Sequence, residues 1–190
     1  MALTDQQQTS ILQLTQAMFN ATPGAIYLEA LGAQMAAGES LANLAQSLSG
    51  SSLFFGRNYS ADLTPSQFAA AFVDDLVGNR ASTDDKTWAT DYIISKMAAG
   101  ATQAELIAEL TQTLSTVPAS DPNWGEAATH YNTSIATKIV DNLVDNSVTE
   151  ANKAFAVDYI VTQMAAGQTF GAMVERAITT LDSVDHTDPV

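Results

Sequence analysis

Met97-Ala98-Ala99-Gly100 reads as the end of one helix and the turn into the next, and the same four residues recur at 35–38 and 164–167. Two residues after each glycine stands a hydroxyl residue, Ser40, Thr102 or Thr169. Glycine enters the left-handed conformation that closes a helix without a Cβ clash. A Ser or Thr just beyond it caps the N-terminus of the next helix. Methionine fills irregular core space, and paired alanines let a neighbouring helix come close. The tetrapeptide is therefore a helix–helix corner, and three copies imply a unit written three times.

Working outward from the corner supports that unit. When 72–102 is laid on 139–169, a shift of 67 residues without a gap, 15 of 31 positions are identical. They include Val73/Val140, Asp74/Asp141, Lys86/Lys153, Asp91/Asp158, Tyr92/Tyr159 and Ile93/Ile160, and Trp88 stands opposite Phe155. A shift of 62 aligns 25–48 more loosely, placing Ile26 on Trp88, Leu44 on Leu106 and Leu48 on Leu110. A diverged end unit is common in repeat arrays, because it must also act as a cap.

Each unit reads as three helices, the first closing at Asn20, Asn79 or Asn146. Thr64-Pro65-Ser66-Gln67 and Thr102-Gln103-Ala104-Glu105 have capping-box spacing, and Asp84-Asp85 after Ser82 place acids where the helix dipole favours them. Helices are predicted near 5–20, 23–37, 40–48, 64–78, 83–99, 102–115, 127–146, 149–166 and 169–183. Trp88, Tyr92, Ile93 and Met97 share one helical stripe, as do Phe155, Tyr159, Ile160 and Met164, and Trp88, Tyr92 and Tyr159 are assigned to the core. The expected architecture is an all-α, compact multi-helix bundle of about three diverged three-helix repeats. A diverged first repeat with an apolar loop covers 1–60, the second covers 61–125 and the third 126–183. An acidic linker, 184–190, leads towards a downstream region.

Composition narrows function. Seven basic residues face 21 acidic ones, a net charge of −14 with a pI near 4.1. That field repels phosphate backbones, so nucleic acid is not an expected partner. Anionic envelope surfaces are repelled too, unless a divalent cation bridges the two. Cysteine is absent, which excludes disulfide scaffolds and thiolate sites. The N-terminus, MALTDQQQTS, lacks the basic and apolar regions of a Sec signal, and no window is apolar enough for transmembrane insertion. Two histidines, no cysteine and no G-x-S-x-G give no catalytic constellation, so no enzyme activity is expected.

The phrase FVDDLVGNRASTDDKTWATDYIISKMAAGATQAELIAEL resembles a helical domain of unassigned function found in bacterial type-I-secreted, RTX-type surface proteins. Leu76–Arg80 fits that family's turn, Met97–Thr102 its corner, and Ser51-Ser52-Leu53-Phe54 its helix end, while Trp88 stands slightly displaced from the usual Trp. The resemblance is best over 61–113, next over 136–182, and loose over the first fifty residues. The chain is also similar to the helical N-terminal anchoring regions of Gram-negative S-layer proteins. This implies a non-catalytic, extracellular cell-surface domain that binds lipopolysaccharide or another envelope glycan, or neighbouring copies of itself. Export would be by type I secretion. The alternative is a helical protein–protein interaction module, a cytoplasmic adaptor. No GGxGxDxUx nonapeptide is present, so RTX calcium binding is not written in these residues.

Glycan sites set aromatic faces beside charged or amide groups. Loop aromatics make Trp124 with Tyr131, and Tyr59 with Arg57, the glycan candidates; Arg80 and Lys86 add cations able to meet a phosphate. No cofactor is required. Ca²⁺ is the one ion the carboxylates invite: Asp74 and Asp75 with Asp84 and Asp85 bracket a turn, and Asp121 opens an oxygen-rich loop that lacks EF-hand spacing. Solvated helix ends are the plain alternative for the first four.

Overall fold

The computed structural model describes residues 4–49, 51, 59–60, 62–144 and 148–183, the side chain of Asp182 excepted. Among them the chain forms nine helices and no strand. These are α1 (Asp5–Phe19), α2 (Ala25–Ala36), α3 (Leu41–Ser49), α4 (Pro65–Val77), α5 (Thr83–Ala98), α6 (Gln103–Ser115), α7 (Gly125–Leu143), α8 (Glu150–Ala165) and α9 (Phe170–Ser183). Every helix expected from sequence is present, with ends within three residues of the predicted ones. Part of the apolar loop, Arg57 within it, Asn146 and the acidic tail lie outside the described residues.

The three corners share one hydrogen-bond pattern. Gly38, Gly100 and Gly167 have φ of 100°, 101° and 93°. Each glycine N–H meets the carbonyl of the corner methionine, and the following N–H reaches back five residues, Ala101 to Lys96 at 3.0 Å and Gln168 to Gln163 at 3.0 Å. That is the Schellman closure. Ser40, Thr102 and Thr169 then each accept the N–H three residues on, at 3.1–3.2 Å. Thr102 completes a capping box with Glu105, and these hydrogen bonds hold the Glu105 carboxyl below its usual range. Of the corner methionines Met164 is fully buried, while Met35 and Met97 are half-buried against the core.

The second helix of each set folds back on the first: α2 on α1, α5 on α4, and α8 on α7. The ends of the chain then meet. α1 lies against α7, and α3 packs along α9, where Gly171 lets the two backbones touch at Ala42. A linear stack of three units would keep its first and third apart, so the helices close into a bundle. α7 is central, contacting α1, α4, α6 and α8. The core runs through Leu14, Leu44, Phe72, Leu106, Ile139 and Val174, all at most 1% exposed.

Two expectations about burial need correction. The leading aromatics of the α5 and α8 stripes are not core: Trp88 is 62% exposed and Phe155 75%, while Ile93, Ile160 and Met164 of the same stripes are buried. At 3.6 residues per turn each isoleucine lies about 140° round its helix from the ring five residues earlier, so the face that buries Ile93 and Ile160 turns Trp88 and Phe155 to water. Tyr131, expected at the surface, is buried in α7 between Ala127, Ala128 and Ile135. Burial pushes its phenol up to about 12, against a smaller lowering from its hydrogen bond with Thr111.

Candidate functional site

The strongest site geometry gathers where α5, the 116–124 loop and the start of α7 meet. Ser82 starts α5 by accepting the Asp85 N–H at 3.1 Å and donating its own hydroxyl to the Asp85 carboxylate at 2.6 Å. Trp88 follows one turn later, and its ring stacks on Tyr92 at 5.8 Å with a 19° tilt. Tyr92 in turn donates its hydroxyl to Glu109 of α6, and Lys96 reaches the same carboxylate at 3.2 Å while lying 5.2 Å from the Tyr92 ring centre. The Tyr92 hydrogen bond is the main cause lowering the Glu109 carboxyl, and Lys96 is correspondingly raised by Tyr92 and Glu109.

Trp124 arrives from the other side. Asp121 accepts the N–H groups of Asn123 and Trp124 at 2.9 and 2.8 Å, a side-chain turn that aims the indole at α5. The two tryptophan rings stand 6.3 Å apart at 55°. Gly125 follows because a Cβ there would fall against the Ala119 carbonyl and 2.9 Å from the Pro118 oxygen. A cleft of about 500 Å³ opens at the turn that carries Trp124, lined by Arg80, Asp121, Asn123, Glu126, Thr129 and His130 among others, with neither indole in its walls. The exposed Trp88 indole with the half-buried Trp124 ring against it is a surface suited to stacking on a sugar ring.

The candidate residues divide accordingly. Arg80 and Asp121 share the cleft with Glu126 and His130. Trp124 follows Asp121 in its turn and meets Trp88, which was expected in the core. Its setting was legible nonetheless: Asp84, Asp85 and Asp91 lie at i−4, i−3 and i+3, on the same side of α5. Tyr59 serves the core instead, edge-on to Phe68 and Phe72 at 5.2 and 6.0 Å, with its hydroxyl donated to Asp75 at 2.8 Å. Lys86 pairs with Asp74 at 2.9 Å and ties α5 to α4. Tyr131 is buried, out of reach of a surface ligand.

The expected calcium carboxylates do not converge. Asp74 meets Lys86, Asp75 meets Tyr59, Asp85 meets Ser82 and Asp121 holds its own turn. Among the described residues no three Asp, Glu or His side chains are grouped as metal ligands, and no helix is long and apolar enough to cross a membrane. No protein-family model matches the chain, and comparison with curated proteins and with solved structures returns no match.

Proposed function

We propose that this chain is a non-catalytic anchoring module of a secreted bacterial cell-surface protein, holding it to lipopolysaccharide or another envelope glycan through Trp88 and Trp124. One observation carries the reading: Trp88 leaves 62% of its surface in water with the Trp124 ring beside it. Exposed tryptophan is a common anchor of binding surfaces. The sequence resemblance to RTX-type and S-layer proteins supplies the envelope setting and the extracellular location. Because the net charge is −14, contact with anionic lipopolysaccharide calls for a bridging divalent cation such as Ca²⁺.

The test is co-sedimentation of the purified domain with cells bearing full-length or truncated lipopolysaccharide, with Ca²⁺ or with excess EDTA. Binding to full-length chains that Trp88→Ala weakens at least tenfold supports the reading, and equal binding by the variant contradicts it. Binding unchanged in EDTA removes the bridging role.

A second reading rests on another observation. Ile26, Trp88 and Phe155, aligned in the two sequence registers, are all exposed, at 82%, 62% and 75%. Large apolar groups repeated at one position suit a helical interaction module that meets a protein partner or neighbouring copies. Ile26→Ser with Phe155→Ser would abolish that association and leave glycan binding intact.

A further inference from the structure

We infer that the groove between α7, α8 and α9 binds one single-chain anionic amphiphile, a long-chain fatty carboxylate, with its tail in the groove and its head on Arg176. The groove is open to solvent and offers about 500 Å³, and its walls include Leu143, Phe155, Tyr159, Ile160, Ala177 and Leu181. Beyond the Tyr159 hydroxyl, its polar lining is Arg176 and Thr180. Phe155 stands 75% exposed, Tyr159 38% and Leu181 37%, so apolar rings and a leucine face water that a hydrocarbon chain would displace.

Charge selects the head group. Among the described residues Lys86, Lys96 and Lys153 each meet a carboxylate. Arg176 meets none there; it lies 5.5 Å from the centre of the Tyr159 ring. The 67-residue register sharpens the contrast. It sets Tyr159 opposite Tyr92, Arg176 opposite Glu109 and Gln163 opposite Lys96. In α5 and α6 the tyrosine is closed by a carboxylate and a lysine that neutralise one another. In α8 and α9 the same place holds a lone guanidinium, whose planar fork suits a carboxylate. The volume lies within the range of small-molecule sites.

The test is cis-parinaric acid fluorescence with competition by monomeric laurate and by uncharged dodecanol. Laurate is expected to displace the probe at one site per chain, with dodecanol about tenfold weaker and decanoate weaker than laurate by roughly three- to tenfold. Arg176→Gln, at an exposed position, should lower laurate affinity about tenfold and leave dodecanol unchanged. Leu181→Glu, also at an exposed position, should weaken both. Equal affinities for laurate and dodecanol, an Arg176→Gln variant that binds laurate as the wild type does, or a signal seen with phosphatidylglycerol vesicles but not with monomeric acid would each overturn the assignment. The inference stands apart from the glycan reading: Trp88→Ala retains laurate binding, and Arg176→Gln retains glycan binding.

Discussion

Replacing Gly171 by alanine should destabilise the protein, although alanine is the better helix former. Gly171 sits in the first turn of α9, with its N–H on the Gln46 side-chain oxygen at 3.1 Å. A Cβ at this position would fall inside the Ala42 carbonyl oxygen, 2.9 Å from the carbonyl carbon and 3.0 Å from the Gln46 nitrogen. All three are backbone atoms, so no side chain can swing away. α3 and α9 must part by on the order of 1 Å, which loosens Leu41, Leu44 and Ala45 from Phe170, Met173 and Val174. Overpacking of this kind costs about 3 kcal/mol at the upper end of its usual range. Helix propensity returns about 1 kcal/mol, an upper figure so near a helix start. The expected net loss is about 2 kcal/mol, a fall in Tm of roughly 4–8 °C for a chain of this length. Urea denaturation followed by circular dichroism measures it. Gly100→Ala is the control: its cost is left-handed strain of about 1–2 kcal/mol, with nothing within 4 Å of the new methyl. A neutral or stabilised Gly171→Ala would refute the close α3–α9 approach, and the sign alone decides.

Other expected outcomes follow from the caps and from Tyr131. Thr102→Ala removes the α6 cap and should cost about 1 kcal/mol, read as a Tm lowered by roughly 2–4 °C. Because the folded-state Glu105 carboxyl is lowered, its contribution is present above its unfolded value near pH 4.3 and fades as pH falls through the folded one; Glu105→Gln should flatten that part of a stability–pH curve measured below pH 4.5. The phenol of Tyr131 is raised to about 12, so its contribution is whole below pH 10 and is lost as pH climbs from 10 towards 12. Tyr131→Phe should blunt alkaline unfolding, and absorbance at 295 nm should show one tyrosine titrating late.

Much of the fold was legible because helix stops and starts are local chemistry. The corner glycines, the Thr64 and Thr102 capping boxes and the Ser82 start all depend on residues within five positions of one another, and each forms as read. The start of α7 was read two residues late, since Asp121 accepts the N–H groups of Asn123 and Trp124 on its carboxylate and that of Gly125 on its carbonyl, which draws Gly125 into the helix. Burial was harder, because it depends on how far neighbouring helices reach. The stripe was drawn too wide: at 3.6 residues per turn Ile93 lies about 140° round α5 from Trp88, and the core takes the side of Ala89, Ile93 and Met97 and leaves Trp88 in water. Tyr131 was misread for the opposite reason. It was taken with the loop aromatic Trp124, while its spacing from Ala127 and Ile135, four residues either way, already matched the buried row of α7. Of the site, Arg80, Asp121 and Trp124 were found from residue type; the meeting of Trp124 with Trp88 depends on the approach of α5 to the 116–124 loop, which no local pattern encodes.

The most direct measurement is intrinsic tryptophan emission during titration with delipidated envelope polysaccharide, since Trp88 and Trp124 are the only tryptophans in the chain. A saturable blue shift that Trp88→Phe largely removes, with the fold unchanged by circular dichroism, is the result expected if Trp88 and the Trp124 ring against it hold the glycan. Polysaccharide that binds without altering either indole would contradict it.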